Sequence, residues 1–483
     1  MRIILNLLLL VVSSSLIGQN KEKDYTEAFN LIEVWLDAQK DYDKLPGITL
    51  AVIDDQEVMW SGAFGKASIE DDVASSTRTL GSICSISKLF TAVAIMKLYD
   101  EGKIRLDDNI EDLLPWFNLQ QQYKDSGPIT VRSLMTHSSG LPREALAPYW
   151  TGPDFPFPSQ EEVKEGLSNQ ETLYPASTYS QYSNLGLTLL GEIVEEVSGM
   201  TYDEYINKQI LEPLGMSSTK TYMPEDLYGS DLAIGYSAMT RKGDRKKVQL
   251  FQADGIRAAA GYSSNVEDLG KFASWQFRVL DSTITEVLKP STLRNMHNVH
   301  WTDPGWNTTW GLGFAVYKGS DGNKWVAHGG SCPGYRSTLQ INPKKKKAYV
   351  AMINSSGTNP GKYTSGIRSI IDKVKTGKAT VSESDTVEIA DFSDYEGYYS
   401  SQPWWGETYV STWEDKLVRL DLPTDDPGNS MTFFKHIEGD TFRRIRKDDE
   451  LGEALIFHRD ENGQVVKLSS HGNYSSKIDR TMN

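Results

Sequence analysis

Ser85-Ile86-Ser87-Lys88 opens the stretch SISKLFTAVAIMKLYDEG (residues 85–102), and the reading of this stretch decides the fold. Leu89, Phe90, Val93, Ala94, Met96 and Leu98 recur at helical spacing with little room for a polar face, so a largely buried helix is predicted. Gly81-Ser82 just before it supplies helix-start chemistry. In Ser-x-x-Lys the i, i+3 spacing puts hydroxyl and amine on one face, so the serine has a base beside it. A helix N-terminus also leaves the backbone NH unpaired in a favourable dipole, so one residue can supply both nucleophile and oxyanion donor. A second Ser-x-x-Lys, Ser217 to Lys220, follows a Pro-Leu-Gly turn and leads into no buried helix. Surroundings must decide between the two.

Working outward, DYTEAFNLIEVWLDAQK (24–40) reads as a helix, and PGITLAVIDD (46–55) with EVMWSGAFG (57–65) as a strand pair. Further helices are predicted at TVRSLMTH, NLGLTLLGEIVEEVSG and NVEDLGKFASWQF, and a long irregular loop at 142–180, rich in Pro, Tyr and Trp. Residues 310–354 read as three strands: WGLGFAVY, the run through HGG to YRSTLQI, and AYVAMIN. A helix-rich middle and strand-rich end imply mixed helix and sheet layers over 20–375. Residues 376–389 lose the apolar period and read as a linker. Residues 390–483 carry short strand-like runs from YEGYYS to VVKLSS, with Asn462-Gly463 as a hairpin signal, and form a separate all-β unit, a small barrel or sandwich. Trp404-Trp405 and Tyr398-Tyr399 read as its core, and Lys344 to Lys347 as a solvated turn.

The chain of 483 residues has 50 Lys+Arg against 65 Asp+Glu, a net charge of -15 that argues against nucleic acid or anionic lipid as a partner. Arg2, the apolar run Ile3 to Val12 and the small residues after it have the layout of a signal peptide over 1–19. An exported protein, periplasmic or secreted and without a membrane span in its mature form, is therefore expected. The seven histidines show no clustered ligand spacing, and two cysteines cannot make a structural zinc site, so no metal or cofactor is implied. GxSxG, GxxxxGK[ST] and GxGxxG opening a helix are all missing from the sequence, which leaves a different nucleophile, for which Ser85 is a candidate.

Tyr182-Ser183-Asn184 lies just before an apolar helix, and a tyrosine whose pKa is lowered by a neighbouring lysine can take a serine proton. Tyr205-Ile206-Asn207 repeats the letters inside a helix. For a third element, His328-Gly329-Gly330 between strand runs competes with Lys375-Thr376-Gly377 in the linker. His328 is favoured, because an oxyanion hole needs a rigid strand NH.

The ordered set SISK, YSN and HGG, with LMTHSSGLP between the first two, resembles the serine β-lactamase and penicillin-binding-protein superfamily, class C branch. PGITLAVIDD, LDDNIEDLLPWF, LEPLGM, AAAGYSSNVEDLGKF and WGLGF are similar to that branch's connecting motifs, so the resemblance covers about 25 to 375. It implies an α+β fold, an antiparallel sheet flanked by helices with a helical subdomain, and an acyl-enzyme mechanism. By resemblance Ser85 is the nucleophile, Lys88 its activating partner, Tyr182 the general base and acid, and Asn184 the binder of a substrate amide. His328 would join the Tyr182-Ser85 network and contact the substrate's carboxylate side with Gly330 beside it, while the NH groups of Ser85 and Ser331 would form the oxyanion hole. Cys84 and Cys332 sit where some class A carbapenemases carry a disulfide, so a bonded pair is expected.

Two departures bear on the substrate. His replaces the lysine that most β-lactamases of the branch carry, a feature similar to D-Ala carboxypeptidases and D-amino-acid peptidases. Ala176-Ser177-Thr178 stands where Pro-Gly-Thr is common. A serine hydrolase on D-residue-containing peptides is thus expected, with a carboxylesterase or β-lactamase using the same machinery as the alternative. A non-catalytic acyl-binding or sensor protein is the alternative of another class. The partner is a small-molecule or peptide substrate, and no feature of the sequence sets an oligomeric state.

Overall fold

The computed structural model describes residues 24–145, 148–374 and 391–480, so the expected signal peptide and linker lie outside the described residues. Strands β1 (Gly47–Asp54), β2 (Glu57–Ser68), β3 (Val73–Ala74), β6 (Trp301–Thr302), β7 (Thr309–Trp310), β8 (Ala315–Lys318), β9 (Lys324–Cys332), β10 (Tyr335–Asn342) and β11 (Lys347–Ile353) make one antiparallel sheet. Its order is β3-β2-β1-β11-β10-β9-β8-β7-β6. A two-stranded sheet of β4 (Gly81–Ser82) and β5 (Ser263–Ser264) sits beside it.

Period-two alternation sends β1 and β11 side chains to two cores. Leu50, Val52, Ala351 and Ile353 meet helix α1 (Thr26–Tyr42) and the helix Pro360–Ile371, while Ala51, Ile53, Val350 and Met352 meet the helical side. At the centre of that second core lies α2 (Ser87–Asp100), in which Leu89, Phe90, Val93, Ala94, Ile95 and Met96 are all fully buried. Each such side chain contributes about 1.5–3 kcal/mol of burial, so α2 is an axle the other helices pack around. The antiparallel sheet flanked by helices is the expected fold.

The strand region from 310 is more divided than expected. WGLGFAVY splits into β7 and β8, and the run through HGG splits into β9 and β10 at a turn where Gly334 has φ +82°. The expected loop at 142–180 contains the helix Gln160–Gly166, started by a Ser159/Glu162 capping box.

The C-terminal unit is a closed barrel of eight strands: β12 (Gly397–Ser400), β13 (Glu407–Trp413), β14 (Lys416–Leu422), β15 (Met431–Glu438), β16 (Thr441–Ile445), β17 (Leu451–Arg459), β18 (Val465–Ser470) and β19 (Asn473–Ile478). Its outer face, with Tyr398, Trp413, Val418 and Leu420, packs on α1 in the same core as Trp35. Trp35 Nε1 donates to the Thr424 carbonyl at 2.9 Å across that junction.

Candidate active site

Ser85 lies in a single 3-10 turn, Cys84–Ile86, that leads directly into α2, and Cys84 is forced to φ +51° there. A non-glycine residue in that region costs of order 1 kcal/mol or more, and surrounding contacts must hold it. The turn turns Ser85 toward open space while Cys84 and Ile86 stay buried. Lys88, one turn on, is 1% exposed. Its ammonium nitrogen makes three contacts: Ser85 Oγ at 3.1 Å, Asn184 Oδ1 at 2.7 Å and the Ala259 carbonyl at 2.8 Å. Burial is the main cause that brings the Lys88 pKa down to about 7, with Glu144 acting in the opposite sense.

Tyr182 stands beside Ser85 on the wall of one cleft, and its ring lies 4.9 Å from both Lys88 Nζ and the Arg143 guanidinium carbon. The expected lowering of its pKa is not found. Burial pushes the phenol up, and the Ser85 contact and Arg143 only partly offset it. The phenol is therefore held neutral, and Lys88 is the group that titrates near neutrality. His137, at φ +55° and buried, packs against Tyr182 with ring centroids 4.1 Å apart and planes tilted by 33°, while its Nδ1 accepts from the Ser183 NH at 3.2 Å.

Asn184 takes a different place from the one expected. It is 3% exposed, its oxygen accepts from Lys88, and its Nδ2 donates to Glu144 Oε1 and Oε2 at 2.8 and 3.0 Å. With both ends of the amide occupied, it positions Lys88 instead of facing a substrate. Glu144 in turn accepts from the Tyr149 hydroxyl and contacts Arg143 Nε at 3.2 Å.

The third element sits on β9. The partner strand β8 pairs only as far as Ala315↔Ala327, so the β9 edge from His328 onward is unpaired on that side and faces Ser85. Ser85, Tyr182, His328, Gly329 and Ser331 share a cleft of about 320 Å³ walled by Trp310, Ala315 and Arg143. Gly330 is not on that wall: a Cβ there would collide with Ser337 Oγ and the Ile83 carbonyl, so the glycine lets β9 lie against the Ser85 turn. His328 Nδ1 is 2.7 Å from the Gly329 carbonyl, which fixes the proton on Nδ1. Its Nε2 is buried with no hydrogen-bond partner among the described residues, so it does not join the Tyr182-Ser85 network. Burial, with Lys88 nearby, lowers its pKa to about 3. His328 therefore carries no positive charge and is unsuited to holding a carboxylate.

Cys84 and Cys332 are both free and buried in the structure, contrary to the expected disulfide. The Cys84 sulfur turns to Ser82, 3.5 Å from its hydroxyl and 3.6 Å from its carbonyl, with the Cys332 thiol beside it. Lys375-Thr376-Gly377 falls outside the described residues, and Ser217 with Lys220 and Tyr205 with Asn207 are not on the cleft wall. Arg143 and Glu144 were not singled out in the sequence. Their signal was position, since they directly follow the SSGLP loop, whose Arg143 carbonyl accepts from the Asn184 NH at 2.7 Å.

A serine hydroxyl in contact with a buried amine and beside a neutral phenol, at the junction of a sheet edge and a buried helix, has the chemistry of an activated nucleophile. The chain belongs to the β-lactamase family, whose sequence profile, "Beta-lactamase", matches residues 35–367. Among curated relatives it is similar to "Beta-lactamase-like protein 2" of Dictyostelium discoideum, 28% identical over 59% of this chain and 52% of that one. It is also similar to "Penicillin-binding protein 4*" of Bacillus subtilis, 25% identical over 61% of this chain and 64% of that one. The matched region thus spans only about half to two thirds of those relatives' own length. Among solved structures, an octameric penicillin-binding protein homologue from Pyrococcus abyssi superposes with a TM-score of 0.63 at 26% identity, covering 91% of this chain and 97% of that one. A β-lactamase/D-alanine carboxypeptidase from Yersinia pestis shares the fold, with a TM-score of 0.60 at 21% identity over 72% of this chain and 98% of that one.

Proposed function

We propose that the protein is a serine hydrolase that cleaves an amide or ester bond through an acyl-enzyme on Ser85, acting on short peptides that carry a D-residue. The observation that carries this reading is Lys88 Nζ at 3.1 Å from Ser85 Oγ, held there with a pKa of about 7. A base poised near the working pH is the efficient one. Free-amine Lys88 takes the Ser85 proton as Oγ bonds the substrate carbonyl carbon. The Tyr182 hydroxyl passes a proton to the departing amine or alkoxide and is reprotonated from Lys88. Water then attacks the acyl carbon by the reverse relay and frees Ser85. The oxyanion is assigned to the NH groups of Ser85 and Ser331, at the turn and on the open β9 edge.

Two features support a peptide. Arg143, with its side chain 59% exposed at the cleft wall, can receive a substrate carboxylate. Relatives described as penicillin-binding proteins point the same way. Export of the protein, with residues 1–19 as leader, is proposed on the sequence alone.

The test compares kcat/KM for D-Ala and L-Ala p-nitroanilides, a p-nitrophenyl ester and a chromogenic cephalosporin. The reading predicts that the D-anilide leads the L-anilide and the cephalosporin. An ester alone would make the protein a carboxylesterase, leading cephalosporin turnover a β-lactamase, and no turnover of any of them a binding or sensor protein.

A further inference from the structure

The barrel contains a second cavity, far from Ser85 in sequence and separate from its cleft. Register pairs Tyr399 with Thr408, Thr408 with Asp421, Val410 with Arg419, and Ser470 with Asn473, and cross-strand partners share a face. Tyr399 and Val410 belong to the lumen core, so these polar residues point into the barrel as well. At one end Tyr399, Phe434, Phe442 and Phe457 fill the lumen. At the other end the polar residues line a cavity of about 590 Å³ with Trp404 and Trp405 at its lip.

Those two rings overturn the expectation that they are barrel core, since Trp404 is 80% and Trp405 59% exposed. Side chains in small barrels normally fill the interior, and an unfilled mouth is where such folds take a ligand. We propose that this open end of the barrel binds a neutral saccharide.

The chemistry of the lining makes the choice. Arg419 Nε is 3.3 Å from Asp421 Oδ1, which itself accepts from Thr408 Oγ1 at 2.7 Å. The opposite charges cancel, which disfavours an ion as ligand. Arg419 Nε is buried without a hydrogen-bond partner among the described residues, but the side chain is 20% exposed at the cavity wall, so it is the accessible end of the guanidinium that can donate to a ligand oxygen. A lipid chain entering here would bury guanidinium, carboxylate and amide against hydrocarbon, which their desolvation disfavours. A pyranose ring fits both halves of the site: its apolar C–H face lies on an indole plane, and its hydroxyl edge reaches Arg419, Asp421 and Asn473. The proposal does not depend on the hydrolase reading.

The test titrates the full-length protein with the tetrasaccharides of N-acetylglucosamine, cellobiose-type glucose and maltose-type glucose, and with dodecanoate and tetra-alanine, by tryptophan fluorescence and calorimetry. A saturable response to at least one tetrasaccharide is expected, and none to dodecanoate or tetra-alanine. It should weaken about tenfold or more in the Trp404→Ala/Trp405→Ala double variant and in Arg419→Met. The double variant should keep the wild-type Tm, because both rings are exposed, so its loss of binding does not report unfolding. No saturable response to any tetrasaccharide, binding that survives in the double variant, or saturable binding of dodecanoate or tetra-alanine instead would overturn the proposal.

Discussion

Replacing Glu144 by Gln tests whether Lys88 is the base, because the carboxylate acts on the amine through one intervening side chain. Asn184 bridges the two, with its oxygen 2.7 Å from Lys88 Nζ and its nitrogen 2.8 and 3.0 Å from the Glu144 oxygens. Two hydrogen bonds in series put the charges roughly 6 to 7 Å apart. At an effective dielectric near 20 that separation is worth about 2.5 kcal/mol, a little under two pH units. Glu144 is 21% exposed on its side chain, and solvent screening brings the expected effect to about one pH unit. The sign follows from the charges: a nearby carboxylate favours the ammonium, so removing it lowers the Lys88 pKa below about 7. Catalysis needs the free amine, so the acid limb of the kcat/KM profile should move to lower pH by about one unit, while the amide retains an acceptor for Asn184. The assay is kcat/KM from pH 5 to 9 on the best substrate of the panel. An unmoved limb, or one displaced to higher pH, would refute Lys88 as the base.

Gly330→Ala should destabilise the protein by about 2–3 kcal/mol or more, because its Cβ meets Ser337 Oγ and the Ile83 carbonyl. Gly329→Ala should be tolerated, its nearest neighbour being the Ser337 carbonyl at 3.7 Å, and thermal unfolding of the pair checks the contrast. The free thiols should label as two per chain after unfolding without reductant. In the native state both should resist alkylation because both are buried, and burial with the adjacent Cys84 thiol also holds the Cys332 thiol well above its usual range. Failure to label after unfolding would show that the pair is bonded after all.

Much of the frame was legible in the sequence because its signals are local. The apolar residues of α2, with little room for a polar face, and the near-continuous apolar runs of β1 and β11 report burial directly, and burial on all sides is what their packing uses. The strand β19 was missed for the converse reason. NYSSKI carries few apolar residues because its inward positions line the open, polar end of the barrel. The helix Gln160–Gly166 was missed inside a Pro- and Tyr-rich stretch although its capping box, Ser159 with Glu162, was readable.

At the site, letters placed residues but not their orientations. Ser85, Lys88 and Tyr182 converge, yet which way the Asn184 amide points depends on Glu144, a residue 40 positions away that no motif marked. The direction of the Tyr182 shift depends on how completely the pocket excludes water, a tertiary property. The same holds for His328, whose proton is placed on Nδ1 by a carbonyl one residue along the strand.

The central claim is that Ser85 is an activated nucleophile, and intact mass after exposure to a fluorophosphonate or a penicillin tests it most directly. The account predicts one covalent adduct per chain on the wild type, none on Ser85→Ala, and a much slower adduct on Lys88→Met. An adduct that persists in Ser85→Ala, or a wild type that takes up neither probe, would contradict it.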